Sequence, residues 1–276
     1  MPRSITSVFS EAEDFAVAMR EQGCLALLVT GAGQFRARLT QVALHSLRLS
    51  ATDEQLPRIA FVASPADTIL ISLPMGRGPA PIWGGNTIGA GEIMTLGSGQ
   101  RLHMRIDGPC RRGSIWLPAA ELAQYGSAVT GAPFPVPSAA PRWHPRPATM
   151  RHLRHLHSAA IGLAERRSSA VIDAAAAHGL EQQLIDALIE CFSGSSAIET
   201  TPATREHQDV ALRLETLLQT HPEQYLRTAE ICSAIDVSVR ALRLSCKEQL
   251  GMGPTEYIRR RRMQLVPPRV KVWCNL

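Results

Sequence analysis

The 276-residue sequence lacks the marks of several common protein classes. Its six cysteines include no C-x-x-C pair, which disfavours a disulfide framework or a zinc site and is typical of reduced, mostly buried thiols. The N-terminal stretch has no apolar core of signal-peptide length, and no run approaches the roughly 18 apolar residues of a membrane span. We therefore expect a cytoplasmic protein with no membrane segment.

Catalytic and cofactor motifs are missing as well. His45 and His103 have no neighbouring His-x-His pair or carboxylate of the kind that a cupin-type metal site requires. The glycine-rich stretch over residues 84–91 lacks the flanking residues of a phosphate-binding loop. No nucleophile is paired with a base in the sequence. We expect no enzyme, no metal site and no cofactor.

Short strand patterns dominate the first half of the chain. After an acidic, amphipathic start, β-capable apolar runs alternate with Gly, Pro and Asp. Residues 35–40 alternate clearly, with apolar side chains on one side and mostly arginine on the other. Many short strands at this spacing predict a β-rich domain, a sandwich or a cupin-like barrel, over residues 1–135.

Residues 136–195 are predicted to form a proline-rich strap followed by a helical connector. Apolar residues at helical spacing predict two helices, which could dimerise as an antiparallel bundle. His152, His155 and His157 lie in the first helix without a nearby carboxylate or cysteine, so they are interpreted as solvated or helix-packing histidines. A polar linker over residues 196–205 follows.

Residues 206–266 carry the signals of a helix-turn-helix. Thr228 can cap the first helix, and Asp236 tolerates the left-handed backbone of a tight turn. Ser238 can cap the second helix, and Gly251 is placed to end it in the left-handed conformation. The overall prediction is an α+β multidomain chain with an all-α, helix-turn-helix C-terminal domain.

Basic residues are concentrated in this domain. Arg240, Arg243 and Lys247 are spaced three and four apart and form a basic stripe near the helix N-terminus, the end that meets base edges in the major groove. Four arginines follow over residues 259–262. Such a run alone is as often a solvated helix face. Beside the basic stripe, it predicts a phosphate-binding surface and double-stranded DNA as the partner.

The same residues carry a family resemblance. The pattern consists of Ile231, Val237-Ser238, Leu242, Lys247, Gly251-Met252-Gly253-Pro254, Tyr257-Ile258 and Arg262-Met263. It resembles the first helix-turn-helix of AraC/XylS-type transcription regulators, in which a long helix joins two such units. The resemblance implies base contacts from Arg240 and Arg243, and phosphate contacts from the Ser238 end and the other basic residues. The implied DNA-binding set is Ser238, Val239, Arg240, Arg243, Leu244, Lys247, Arg259, Arg261 and Arg262.

Residues 92–126 resemble the N-terminal sensing or dimerising domain of some AraC-type regulators. This resemblance implies that the domain interior binds a small-molecule effector, with Trp83, Arg101 and His103 as candidates to line it. For each residue taken singly, a structural role is the preferred interpretation, with Trp83 in the core and Arg101 on the surface.

The sequence departs from the family in three places. Asp236 and Cys246 stand where glycine and an aromatic residue are usual. After Val266 the family pattern would continue into a second helix-turn-helix, whereas Pro267-Pro268 ends the helix and residues 267–276 read as an aberrant tail. We expect only the first half of the DNA-binding domain to be present.

The predicted function is a sequence-specific, effector-responsive transcription regulator. It would act as a homodimer, with RNA polymerase as a further partner if it activates transcription. The alternative is a truncated sensor and dimerisation protein with little or no DNA binding, a non-functional or dominant-negative relative.

Overall fold

The computed structural model describes residues 2–76, 78–137, 141–166, 169–171, 173–222, 224 and 226–265. Its architecture is α+β in two parts, an N-terminal β-sandwich followed by an all-helical C-terminal region. The predicted end of the linking helix at Pro267-Pro268 and the tail after it lie outside the described residues. Within the described ranges, no helix is both long enough and apolar enough to cross a bilayer.

The elements follow the chain in this order. The strands are β1 (Arg3–Phe9), β2 (Cys24–Val29), β3 (Ala37–Ala43), β4 (Arg48–Glu54), β5 (Arg58–Ala63), β6 (Thr68–Pro74), β7 (Ile82–Trp83), β8 (Asn86–Thr87), β9 (Ile93–Leu96), β10 (Arg101–Ile106), β11 (Cys110–Pro118), β12 (Arg142–Trp143), β13 (Ser169–Val171) and β14 (Ala197–Ile198). The helices are α1 (Ala12–Arg20), α2 (Ala119–Thr130), α3 (Pro147–Arg166), α4 (Ala174–Ser193), α5 (Pro202–Thr220), α6 (Thr228–Ala234), α7 (Val239–Leu250) and α8 (Pro254–Leu265).

Two antiparallel sheets form the sandwich. The large sheet has the strand order β13-β1-β3-β4-β11-β6-β9-β12-β14, and the small sheet has the order β2-β5-β10-β7-β8. The register of β4 on β11 sets Thr52 opposite Arg112 and Glu54 opposite Cys110. Because side chains alternate along a strand, these four residues share the face of the large sheet that looks into the sandwich.

Three apolar cores follow from this layering. The first fills the space between the sheets and includes Phe15, Leu70 and Trp116. The second lies on the other face of the large sheet, where the neighbouring Ile115 packs beneath α3 and α4. The third lies on the outer face of the small sheet, where residues of β2 and β5 pack against the C-terminal helices. Alternation along β11 therefore assigns Ile115 and Trp116 to different cores.

The two helices predicted as a connector are present as α3 and α4, and their apolar faces cover the large sheet. His157 on α3 is buried, and its Nε2 lies 3.0 Å from the carbonyl oxygen of Ser50, so the ring packs between helix and sheet. Burial lowers the pKa of His157 to about 4. His152 and His155 are exposed on the same helix.

Candidate nucleic-acid interface

The predicted helix-turn-helix consists of α6 and α7, joined by a tight turn. Asp236 in this turn has φ 51°, the left-handed conformation that Asp adopts more readily than most non-glycine residues. The cap of α6 differs from the prediction by one residue, because Thr228 is the first helical residue and Arg227 takes the N-cap position. The Glu230 carboxylate accepts the Arg227 backbone N–H at 2.5 Å, as the N3 residue of a capping box does.

Both ends of α7 are fixed as the sequence predicts. The Ser238 hydroxyl accepts the backbone N–H of Ala241 at 3.1 Å and caps the N-terminus. Gly251 ends the helix with φ 72°, and α8 begins at Pro254. The positive φ of Gly251 favours glycine there, because a residue with a Cβ atom adopts this conformation only with strain.

The basic stripe of α7 points away from the protein core. Leu242, Cys246 and Leu250 bury the opposite face of the helix, as their spacing predicts. The predicted contact residues of this helix are all exposed, namely Ser238, Val239, Arg240, Arg243, Leu244 and Lys247. Leu244 exposes 48% of its surface although it is apolar. A convex, basic helix face with an exposed N-terminal end has the shape and charge that a major groove accepts.

The four consecutive arginines of α8 have four different surroundings. Arg259 is exposed, and Arg260 is half-buried and pairs with Glu256 at 2.7 Å. Arg262 is half-buried and donates a hydrogen bond to the backbone oxygen of Gln224. Arg261 points inward and is buried. A run of identical residues on a helix cannot share one face, since successive residues are rotated by about 100°.

The sequence-based prediction that Arg261 contacts a phosphate is wrong. Its guanidinium forms a bidentate ion pair with Glu215 of α5, and both side chains are almost fully buried. Buried charges of this kind are stable when they are paired and hydrogen-bonded, so this guanidinium is committed to the interior. It cannot reach a phosphate in this conformation.

Glu215 is the centre of a buried polar cluster. It accepts hydrogen bonds from Arg261 and from the Tyr257 hydroxyl, the latter at 2.5 Å, and its Oε2 lies 3.7 Å from His103 Nε2. Burial alone would raise the pKa of Glu215, but the contacts with His103 and Arg261 outweigh burial and hold this pKa well below its usual range. Glu215 is therefore ionised at neutral pH, and its charge joins α5 and α8 to the small sheet.

The three residues predicted to line an effector site have different environments. Trp83 is buried in the core between the sheets, and Arg101 is exposed, which agrees with the structural role preferred for each. The expectation that His103 lines the domain interior is wrong. Its ring lies on the outer face of the small sheet, 4.9 Å from the ring of Phe61 and in hydrogen-bond contact with Tyr257. Neighbouring residues on β10 alternate between the faces, so His103 and Met104 cannot both face inward.

Two buried charged residues, Glu215 and Arg112, are absent from the sequence-based predictions. Glu215 lies between Ala211 and Leu218 on the apolar face of α5, and a carboxylate in that register is a signal of a buried ion pair. Arg112 sits in β11 between Cys110 and Ser114, on a face that is buried from Cys110 to Trp116. The alternation of this strand gives the signal, but the charged side chains near Arg112, Glu54 and Arg58, lie on other strands.

Comparison with one solved structure, CuxR, supports the two-part fold. The AraC-like transcriptional activator CuxR, a solved structure, matches with a TM-score of 0.50 at 15% sequence identity, over 95% of this chain and 94% of CuxR. ToxT from Vibrio cholerae strain SCE256 matches with a TM-score of 0.35 at 10% identity, over 85% of this chain and 82% of ToxT. Neither a family model nor a curated protein matches the sequence. From its β-sandwich to its C-terminal helices, the chain shares its two-part fold with the CuxR structure.

Proposed function

We propose that this protein is a sequence-specific, effector-responsive transcription regulator that binds double-stranded DNA through α7. The observation that carries this proposal is the exposed basic stripe of α7, Arg240, Arg243 and Lys247, beside a capped and exposed helix N-terminus. The similarity of the fold to a transcriptional activator supports regulation rather than catalysis.

In the proposed complex, α7 lies in the major groove. Arg240 and Arg243 donate to base edges, for which guanine O6 and N7 suit the arginine fork. Leu244 and Val239 make apolar contacts beside them, for example with a thymine methyl group. The Ser238 end of the helix contacts a phosphate through its N-terminus.

Basic residues of α7 and α8 are assigned further phosphate contacts. Lys247 lies at the C-terminal end of the basic stripe, and Arg259 is exposed on α8. Arg262 remains in the proposed set, although its guanidinium also donates to the backbone oxygen of Gln224. Arg261 is not in the proposed set of phosphate contacts, because its guanidinium is paired with Glu215 in the interior.

A homodimer would supply two copies of α7. One helix-turn-helix reads only a few base pairs, whereas two copies spaced by a helical turn read two half-sites and gain both affinity and specificity. The β-sandwich is the proposed sensor for a small-molecule effector, which would alter the geometry of the dimer. RNA polymerase would be a further partner of an activator.

The test is DNA binding by the purified chain at two salt concentrations, using DNA from upstream of its own gene and random DNA. We expect Arg240→Ala/Arg243→Ala to weaken specific binding by at least about 30-fold, because each bidentate contact contributes about 1–3 kcal/mol of discrimination. Lys247→Ala should reduce the salt slope by about one while preserving sequence preference.

The matched control is Arg36→Ala/Arg38→Ala, which removes the same charge from exposed arginines on the β-sandwich. Equal losses in the two double variants would show that net charge, not α7, accounts for binding. Binding by the wild-type chain that never exceeds binding to random DNA would favour the alternative, a sensor and dimerisation protein with little or no DNA binding.

A further inference from the structure

Lysine is almost absent from this chain. Of its 29 lysine and arginine residues, two are lysines, Lys247 and Lys271. Lys271 lies outside the described residues, and Lys247 is exposed on α7, within the basic stripe. A lysine amine becomes a nucleophile when it loses its proton, whereas an arginine guanidinium stays charged in proteins. Acylation can therefore remove the charge of Lys247 but leaves the charges of the arginines beside it unchanged.

The amine of Lys247 is free to react. Among the described residues, no carboxylate lies within ion-pair distance of it, and no hydrogen bond engages its Nζ atom. The next residue, Glu248, is engaged with α5, where its carboxylate lies 2.6 Å from His207 Nδ1. The positions three and four residues away on α7, residues 243, 244, 250 and 251, carry no carboxylate either. An amine held in an ion pair must break that pair before it attacks, and Lys247 has no such pair to break.

Arginines surround this amine. Arg243 precedes Lys247 by one turn of α7 and Arg240 by two, and both are exposed. From the small sheet, Nη1 of Arg105 donates to the backbone oxygen of Lys247 at 3.4 Å. Asp107 pairs with Arg105 at 3.0 Å and offsets one of these three charges, so the surroundings of the amine are positive. Such a surface raises the local concentration of anions.

We propose that Lys247 is a site of acylation by an acyl phosphate, which the neighbouring arginines hold near the amine. An acyl phosphate combines an anionic phosphate group with an activated acyl carbon, and arginine binds phosphate oxygens with paired N–H donors. The neutral Nζ attacks the acyl carbon and forms an amide bond. The bond from that carbon to the phosphate oxygen breaks, and inorganic phosphate leaves with the electron pair. The proton lost from Nζ passes to water, and the product is an uncharged amide.

The effect on DNA binding rests on the regulatory function proposed above, whereas the acylation does not. In that function, Lys247 contacts a DNA phosphate through its charge. An acyl group removes this charge while Arg240 and Arg243 keep theirs, so the chain keeps its preference among sequences and loses affinity for all of them. We expect the salt slope to fall by about one and the affinity to fall by about 5- to 10-fold at about 0.1 M salt.

Mass spectrometry of the full chain tests the site. The chain is incubated with acetyl phosphate and digested with trypsin, which cleaves after arginine and unmodified lysine. The unmodified chain yields the separate peptides 244–247 and 248–259, whereas acylation of Lys247 blocks one cleavage and yields the joined peptide 244–259 with the added mass of one acyl group. We expect this joined peptide to accumulate. Its absence, at a concentration of acetyl phosphate that acylates the α-amino group of the chain, overturns the proposal.

The role of the arginines is tested by rates. Acylation of Lys247 by acetyl phosphate is compared with acylation by phenyl acetate, an uncharged ester that reports the nucleophilicity of the amine alone. Arg243→Gln should lower the ratio of the two rates by about two- to threefold, because an anion loses part of its attraction to the site. The matched control, Arg38→Gln, removes an exposed arginine of β3 and should leave the ratio unchanged. A ratio in Arg243→Gln equal to that of the wild type rejects the proposal.

DNA binding separates this inference from the proposed function. The treated wild-type chain should bind the upstream DNA about 5- to 10-fold more weakly than the untreated chain. Lys247→Arg has no amine at this position, so its affinity should be the same before and after treatment. An equal loss on treatment of Lys247→Arg would assign the effect to another amine and overturn regulation through Lys247. An untreated wild-type chain without preference for the upstream DNA is a failure of the proposed function, and the peptide masses then decide whether Lys247 is acylated.

Discussion

At the scale of single residues, buried ionisable side chains determine how this protein responds to acid. His157 is kept neutral by burial between α3 and the large sheet, with a pKa of about 4. Glu215 is kept ionised by His103 and Arg261. Both groups destabilise the fold when they gain a proton, but they do so in different ranges of pH.

His157 should make the fold less stable between pH 7 and pH 5. Its pKa is lowered in the folded chain from 6.5 to about 4, so the unfolded chain binds more protons in this range. The stabilisation is complete above pH 6.5 and is lost as the pH falls toward 4. We expect the free energy of unfolding in urea to fall by about 2 kcal/mol between pH 7 and pH 5 because of this group.

The variant His157→Gln should reduce this fall, while His152→Gln, an exposed histidine on the same helix, should not. The window avoids Glu215, whose contribution is lost only below its unfolded pKa near 4.5. A fall in the free energy of unfolding that is equally large in His157→Gln and the wild type would contradict the prediction.

At the scale of elements, α7 is specified by its own ends. Ser238 caps its N-terminus, Gly251 ends it, and the turn before it places Asp236 in the left-handed region. These signals act over three or four residues, which is why they are visible in the sequence. The orientation of the basic stripe follows directly, since helical periodicity separates it from Leu242 and Leu250.

Ser238→Ala should lower the free energy of unfolding by about 1 kcal/mol, because the N–H of Ala241 loses its acceptor at a helix end. Urea denaturation measures this change. Ser233→Ala, at an exposed position of α6, is the control and should change stability by less than about 0.5 kcal/mol. Equal effects of the two substitutions would show that the hydroxyl of Ser238 is not a stabilising cap.

At the scale of the whole molecule, the two parts share a core. Leu28 and Ile59 on the outer face of the small sheet pack with Leu214 and Leu242 of the C-terminal helices. The polar cluster around Glu215 joins the same surfaces. Although the sequence predicts a polar linker over residues 196–205, the β-sandwich and the helical region are in direct contact.

Leu28→Ala should therefore destabilise both parts of the molecule. We expect a loss of about 2–5 kcal/mol, as for other buried leucines, together with faster proteolysis between β14 and α5. Leu25→Ala on the same strand is the matched control, because Leu25 is 47% exposed and Leu28 only 6%. A C-terminal region that unfolds at the same temperature in the Leu28→Ala variant and the wild type would show that the contact does not stabilise it.

The sequence by itself determined the features that depend on near neighbours. Alternation and short apolar runs predicted most of the strands of residues 24–118, but not β1, β12, β13 or β14. Apolar spacing predicted α3, α4 and the helices of the helix-turn-helix, and local caps predicted both ends of α7. These patterns are visible because each involves residues only two to four positions apart.

Only the tertiary structure decided which side chains are buried and with whom. Arg259 and Arg261 are equivalent in sequence, yet one is exposed and the other pairs with Glu215, 46 positions earlier. Arg112 meets Thr52 because β4 and β11 are neighbours in the large sheet. Such pairings depend on strand order and on the docking of the small sheet against the C-terminal helices, and no local pattern encodes either, because the energy of a buried charge depends on all groups around it.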